Sequence, residues 1–351
     1  KSKVLGLENN WLMNDAPPLL VAELSGNHGG SLQKALDLVE RAVDCGADAI
    51  KLQTYTPETI TVAGRCDRFL LKDGLWSGQY LDQLYADAMT PWEWNEPLAR
   101  KASDLGVFLF SSPFDESSVN FLEKAISPQL YKVASFEMNH FPMLEEIGKT
   151  QKPVLASTGV STLEEIHKAI SVLRDHGCPQ VILLRCVSEY PARAEDFALR
   201  RMNLLRDHFD LPVGLADHSL GHIVAVAATA IGARVIEKHF TLDRDPNSSD
   251  GAFSMLPEEF EEMAQAVRMT FQAMGSAKEG DRIISSNAAH FKRSILVSRE
   301  ISKGSQLTPE NIRVARPGDG LCPSQWKAVL GKTVNKELKV GHPLGFKDLE
   351  S

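Results

Sequence analysis

Pro18-Leu19-Leu20-Val21-Ala22-Glu23 and Ala49-Ile50-Lys51-Leu52-Gln53 are short apolar runs, and Ser31 to Cys45 lies between them. That middle stretch sets Leu32, Ala35, Leu36, Val39 and Val43 at the spacing of one helical face. Strand, amphipathic helix and strand within roughly 35 residues make one βαβ unit. Working outward, the same alternation continues to about Gly275 and predicts further strands at Val107 to Ser111, Leu130 to Ala134, Pro153 to Ser157, Val181 to Cys186, Pro212 to Asp217 and Arg234 to Phe240. Eight strands in about 250 residues is the count and size of a (β/α)8 TIM barrel. A doubly wound sheet is the alternative, although no Gly-x-Gly-x-x-Gly follows any strand.

The punctuation supports this division. Ser161 with Glu164, and Thr162 with Glu165, both match a capping box after the fifth strand. The second connection is long: Thr54 to Pro91 carries Gly64, Gly74 and Gly78 and runs into Thr90-Pro91-Trp92-Glu93-Trp94. In a barrel such a segment is expected over the mouth. Residues 1–275 therefore read as the barrel domain, 276–289 as a polar linker, and 290–351 as a small β-rich domain punctuated by Gly and Pro.

Composition sets limits on partners and compartment. The 351 residues are 43% hydrophobic and 24% charged, which suits a globular chain with a sizeable core. A formal charge of -8, spread along the chain, offers no cationic footprint for nucleic acid. Cys45, Cys66, Cys178, Cys186 and Cys322 are odd in number and lack C-x-x-C spacing, arguing against a disulfide framework and a structural zinc. Lys1 to Asn14 lacks a signal-peptide core and no apolar run reaches about 18 residues, so no membrane is expected and the cytoplasm is.

Side chains at the C-terminal ends of barrel strands converge on one site. Here those ends carry Glu23, Lys51 with Gln53, Ser111 with Ser112, Lys132 with Ser135 and Glu137, Ser157 with Thr158, Ser188 with Tyr190, Asp217 with His218, and Glu237 with His239. Residues two apart share a face, so Lys51/Gln53 and Glu237/His239 are expected to enter the mouth together. Lys51 and Lys132 sit in apolar runs where an unpaired ammonium is costly, and an anion held with the help of Ser112, Ser135, Ser157, Thr158 and the Gly159 backbone is the natural partner. The competing reading pairs each lysine with a carboxylate such as Glu23 or Glu237. His218 and His239 suit a divalent ion with open positions, or serve as ordinary hydrogen-bonding residues. His28 is either a site residue or a structural one in its loop.

The motifs in order are Glu23-Leu24-Ser25-Gly26-Asn27-His28-Gly29-Gly30, Lys51-Leu52-Gln53-Thr54-Tyr55, Ser111-Ser112-Pro113-Phe114-Asp115, Tyr131-Lys132-Val133-Ala134-Ser135-Phe136-Glu137, Ser157-Thr158-Gly159 and Glu237-Lys238-His239-Phe240-Thr241-Leu242. This set resembles the sialic acid synthase family. Lys292-Arg293-Ser294-Ile295, Asn311-Ile312, Arg316-Pro317-Gly318 and Leu330-Gly331-Lys332 are similar to that family's antifreeze-like (SAF) domain. Leu75-Trp76-Ser77-Gly78, Leu84-Tyr85 and Thr90 to Trp94 resemble the branch that makes pseudaminic acid from a diacetamido trideoxyhexose.

The resemblance implies a transferase that condenses phosphoenolpyruvate with an open-chain acylated amino sugar, releasing phosphate and a nonulosonic acid. It implies Lys51, Ser112, Lys132, Ser135, Ser157 and Ser188 as phosphoenolpyruvate contacts, and His218 and His239 as ligands of Mn2+ or Mg2+, with no organic cofactor. It places Glu23, Gln53, Glu137, Tyr190, Glu237 and Asp250 toward the sugar; Glu23 and Glu237 are the candidates to act as general base or to orient sugar hydroxyls. It also implies a domain-swapped homodimer in which Arg316 of the partner subunit reaches the sugar. The chain departs from the family at Ser188, where sialic acid synthases proper have Asn, at Ser112, where Thr is usual, at Ala216, where Ser is usual, and across Asn247-Ser248-Ser249-Asp250-Gly251. N-acetylneuraminic or legionaminic acid is the alternative product within the family. Outside it stand a Schiff-base aldolase with Lys132 as nucleophile, and a sugar-binding module led by the C-terminal domain.

Overall fold

The computed structural model describes residues 16–245, 248, 250–275 and 290–350. Lys1 to Asn14, the linker expected at 276–289, Asn247 and Ser249 lie outside the described residues. Two compact units are present, Lys1–Gly275 and Ser276–Ser351.

The first unit holds eight parallel strands: β1 Leu19–Glu23, β2 Ala49–Thr54, β3 Phe108–Pro113, β4 Tyr131–Val133, β5 Val154–Ser157, β6 Val181–Cys186, β7 Val213–Asp217 and β8 Val235–His239. The hydrogen-bonded order is β3-β2-β1-β8-β7-β6-β5-β4. Its two ends, β3 and β4, lie against each other, so the sheet curls into a nearly closed cylinder rather than the open doubly wound alternative. Each strand is followed by a helix that packs on the outside of the cylinder: α1 Leu32–Asp44, α2 Asn95–Asp104, α3 Glu116–Ala125, α4 Phe141–Lys149, α5 Leu163–Asp175, α6 Arg201–Phe209, α7 Ile223–Ala230 and α8 Pro257–Met274.

Alternation along the strands makes two apolar layers. Leu19, Val21, Ala49, Phe110, Leu155, Ile182, Leu184 and Val235 fill the cylinder. Leu20, Ala22, Ile50, Leu52, Leu215 and Ile236 face outward onto Leu38, Val39, Leu98, Ile147 and Leu173 of the helices. Burying each such side chain contributes about 2 kcal/mol. Since inward residues recur every second position, the polar residues that follow this apolar floor on the same strands share one rim.

Helix starts follow local chemistry. Ser31 caps α1 by accepting from Lys34 N, and Asp115 caps α3 by accepting from Ser118 N. Of the two capping boxes read after β5, only Thr162 with Glu165 forms; Ser161 lies one residue before the cap. The long connection after β2 contains short helices at Pro57–Ile60 and Leu81–Ala88. It is held by buried Tyr55, edge-on to Tyr85 at 5.9 Å and to Phe114 at 5.0 Å, and by Trp92 Nε1 donating to the Tyr55 carbonyl at 3.0 Å.

In the second unit β9, Ser294–Val297, pairs antiparallel with β10, Ile312–Ala315. Isolated bridges Leu296↔Pro343, Ile301↔Leu338, Gln306↔Thr333 and Val334↔Leu349 knit the rest around Ile295, Val297, Ile312, Val334 and Leu344. Fully buried Asp348 anchors it, ion-paired with Lys336 Nζ at 2.6 Å and accepting from His342 Nε2 and Gly345 N, each at 2.9 Å.

Candidate active site

The strand registers bring distant residues level at the rim. Glu23 stands opposite both Lys51 and His239, Gln53 opposite Ser112, and Ala216 opposite Glu237. Glu23, Lys51, Ser112, Lys132, Ser157, His218, Glu237 and His239 are all buried there.

Lys51 is not the unpaired ammonium that the sequence suggests. Its Nζ is ion-paired with Glu23, lies 3.3 Å from Glu237 Oε1, and donates to Ser112 Oγ at 3.4 Å. The alternative reading, a lysine matched by Glu23 and Glu237, therefore describes Lys51 in this state. Burial works against its charge, but the two carboxylates more than reverse this and hold it above its ordinary range. Glu23 moves up because burial outweighs the pull of Lys51. Glu237 moves down: burial opposes ionisation, and Lys132 and Lys51 prevail.

Lys132 is the less neutralised cation. It donates to the Val133 carbonyl at 3.1 Å and is 4.0 Å from Glu237. Burial depresses it below the ordinary lysine range, and Glu237 offsets this only in part. The argument for an anionic ligand thus rests on Lys132 and on the hydroxyls beside it.

Those hydroxyls surround Gly159. A Cβ on that residue would lie 2.7 Å from Ser135 Oγ and 2.7 Å from Ser188 Oγ, so glycine alone lets the loop after β5 pass between the ends of β4 and β6. Ser157 Oγ is buried and finds no hydrogen-bond partner among the described residues, a donor waiting for an acceptor. Two further hydroxyls at these strand ends, of which the one on Thr158 is expected to help hold an anion, are otherwise engaged. Thr158 Oγ1 donates to the Leu184 carbonyl at 3.2 Å, and Ser111, opposite in facing to Ser112, meets Thr54 Oγ1 at 2.7 Å.

His218 and His239 approach edge to face with ring centroids 5.3 Å apart. Burial lowers His218 to about 4 and takes His239 well below its ordinary value, so both imidazoles are neutral near pH 7. His218 Nδ1 donates to the Val187 carbonyl at 2.8 Å, leaving Nε2 with its lone pair. His239 Nδ1 is buried without a hydrogen bond, 3.6 Å from Asp250 Oδ2. Neutral imidazoles with available nitrogens fit a divalent ion. Among the described residues no group of three or more His, Cys, Asp or Glu forms a cation site, so solvent or substrate would have to complete any coordination sphere.

Of the residues expected to meet the sugar, Glu23, Gln53 and Asp250 are linked on the β1, β2 and β8 side, whereas Tyr190 follows β6 and Glu137 follows β4. Gln53 Nε2 donates to Glu23 Oε1 at 3.0 Å and to Ser25 Oγ at 3.2 Å, and Ser25 Oγ donates to Asp250. The Tyr190 ring is 4.4 Å from that of His218 and 5.7 Å from Trp76. Burial raises the Glu137 carboxyl to about 7, against the pull of Lys132 and Lys51, and its Oε2 has no hydrogen-bond partner among the described residues. A cleft of about 550 Å³ is lined by Gly26, Asn27, Trp76, Gln79, Asp87 and Ser248, among others. Arg316 belongs to the second unit, with its guanidinium 5.9 Å from the Phe291 ring centroid.

His28 resolves as structural. Its Nε2 pairs with Thr90 Oγ1 at 3.1 Å, its ring meets Trp94 edge-on at 5.2 Å, and burial lowers it to about 4. Sequence reading missed Ser25 and Phe253, the latter with ring centroids 5.0 Å from Tyr190 and 4.9 Å from His239. Ser25 lay within a motif already singled out, two residues after Glu23. Phe253 lies in an irregular stretch with no periodic signal. Cys186 was also passed over, although alternation from Leu184 aims it inward, 3.9 Å from His218 Nδ1.

Residues 38–279 match the NeuB family, and residues 292–350 match the SAF domain. The chain belongs to the NeuB family. It is 41% identical to a pseudaminic acid synthase from Campylobacter jejuni, over 96% of this chain and 98% of that protein. It is 32% identical to an N,N'-diacetyllegionaminic acid synthase from Legionella pneumophila, over 95% and 94%. Among solved structures, a sialic acid synthetase from Leptospira borgpetersenii in complex with citrate superposes with a TM-score of 0.68 at 28% identity, covering 77% of this chain and 89% of that one. For this NeuB-family chain, the resemblance read from six short motifs thus extends to nearly the full length.

Proposed function

We propose that the barrel rim condenses phosphoenolpyruvate with an open-chain 2,4-diacetamido-2,4,6-trideoxyhexose, forming a pseudaminic acid-type nonulosonic acid and phosphate. The observation that carries this reading is the juxtaposition, within one rim, of a cationic and hydroxyl-rich side with two neutral imidazoles, joined through Glu237. The higher identity to the pseudaminic acid synthase than to the legionaminic acid synthase favours this sugar.

In the proposed reaction C3 of phosphoenolpyruvate bonds to the aldehyde carbon, water adds at C2, and phosphate leaves. Lys132, with Ser135, Ser157 and Ser188, holds the phosphate and carboxylate, while Lys51 and Ser112 form the opposite wall. This fixes the methylene toward the carbonyl, a positioning effect. His218 and His239 hold Mn2+ or Mg2+, which when bound supplies Lewis acidity toward the sugar carbonyl. Glu23, whose carboxyl burial keeps raised, is suited to move a proton at the attacking water, and Glu237 holds both lysines. Gln53, Glu137, Tyr190 and Asp250 orient the sugar, whose distal substituents extend toward the cleft beside Trp76.

The SAF unit acts as a lid in a domain-swapped homodimer, with Arg316 of the partner subunit contacting the sugar. The cytoplasm is the proposed compartment, supported by five free cysteines; among the described residues no helix is long and apolar enough to cross a membrane.

The test is phosphate release from phosphoenolpyruvate with a panel of acylated amino sugars, with and without chelator. Release that needs the diacetamido trideoxyhexose and stops on chelation is expected; preference for a mannosamine- or legionaminic-type precursor reassigns the sugar. One observation favours a second reading: the depressed Lys132 is also what a Schiff-base aldolase uses. Borohydride trapping of a carbonyl substrate on Lys132, with metal-independent turnover, would establish that chemistry instead.

A further inference from the structure

Asp217 and Lys238 stand opposite each other in register on β7 and β8, and each immediately precedes one of the two rim histidines. Strand alternation sends Glu237 and His239 into the cylinder and Lys238 to its outer side. Both charged residues are buried there, each 1% exposed. Asp217 Oδ2 accepts from Lys238 Nζ at 2.9 Å, while its Oδ1 accepts from Ser219 N at 2.8 Å and Ser219 Oγ at 2.6 Å. Lys238 Nζ donates further to the carbonyls of Ser219 at 2.5 Å and Gly221 at 2.9 Å. All three ammonium protons and both carboxylate oxygens are engaged.

These bonds tie residues 217, 219 and 221, which bracket His218, to the residue beside His239. A buried ion pair gives little net stability relative to an apolar pair of the same volume, so the consequence of this one is better sought in geometry. The imidazoles contact each other without sharing a bonded partner, and their separation is set by how the two strand ends are fastened. The bond from His218 Nδ1 to the Val187 carbonyl fixes that ring's direction but does not tie it to β8.

We propose that Asp217 and Lys238 are positioning residues that set the spacing of His218 and His239 for divalent-ion binding. The proposal rests on the metal reading given above. A purely structural role would change stability alone, so the test separates the two. Lys238→Met leaves the Asp217 carboxylate buried without its cation and is expected to lower Tm. The double variant Asp217→Asn/Lys238→Met removes that charge and is expected to recover most of the Tm loss. Its Mn2+ dissociation constant, measured from the free-ion signal in electron paramagnetic resonance, is expected to stay about ten-fold above the parent, in line with losses on removing groups that orient metal ligands. Ser219→Ala, which keeps the ion pair and removes one hydroxyl donor to Asp217, is expected to fold and to weaken Mn2+ by about three-fold.

Parent-like Mn2+ affinity in both the double variant and Ser219→Ala overturns the proposal. If the parent itself binds no Mn2+, the metal reading fails. The positioning role is then read from the imidazole 15N shifts of His218 and His239 in the parent and Ser219→Ala proteins, where changed shifts support it and identical shifts overturn it.

Discussion

At the scale of single residues, the two lysines that look alike in sequence have opposite surroundings. Lys51 pairs with Glu23 and lies beside Glu237, so Lys51→Met leaves Glu23 buried without its cation and is expected to lower unfolding free energy by about 3–5 kcal/mol. Lys132 is less closely matched, and Lys132→Met is expected to lower kcat/KM for phosphoenolpyruvate at least about 100-fold with a much smaller stability loss. Urea denaturation of both variants checks the contrast. Glu137 provides a pH test. Burial raises its folded carboxyl to about 7 from an ordinary 4.5, so the stability tied to its neutral form is complete below pH 4.5 and lost as pH rises through 7. Glu137→Gln, which cannot ionise, is therefore expected to melt above the parent at pH 8 by an amount worth about 3 kcal/mol, and close to it at pH 5. An equal difference at both pH values would show that the carboxyl does not titrate there.

At the scale of elements, strands and their helices were legible because alternation and helical spacing are local properties. Ser31 and Thr162 cap where short-range chemistry permits, whereas the Ser161 box fails because only one residue can be the cap. The loop after β5 was legible only as a glycine following Ser157-Thr158. Its crowding between Ser135 and Ser188 arises from three strands meeting, which no local spacing encodes. Gly159→Ala is expected to raise KM for phosphoenolpyruvate at least about ten-fold while Tm moves by only a few degrees, because the added methyl displaces the serine hydroxyls and not the core. Steady-state kinetics beside a thermal melt measures both.

For the whole molecule, each unit has its own apolar core. Deleting residues 290–351 is expected to leave a barrel with near-parent circular dichroism but impaired use of the sugar, since the proposed Arg316 contact is lost. An unchanged sugar KM in the truncated protein rejects the lid role. Within the second unit, burial alone would raise the Asp348 carboxyl, yet Lys336, His342 and the Gly345 N–H bring it down to about 2. Asp348→Asn is expected to destabilise this unit by about 2–3 kcal/mol and to leave barrel melting unchanged, as differential scanning calorimetry can resolve.

The sequence by itself determined the eight strands, the inward register of Lys51, Gln53, Glu237 and His239, and membership of the family, because periodicity and motif order survive without coordinates. Only the tertiary structure decided that Lys51 is matched by Glu23 and Glu237, that Thr158 and Ser111 are otherwise engaged, that His28 is structural, and that Asp217 clasps Lys238. The reason is that side-chain pairing depends on which strand ends the closing cylinder makes neighbours. Glu23 and Glu237 are 214 positions apart in the chain, yet both reach the same ammonium.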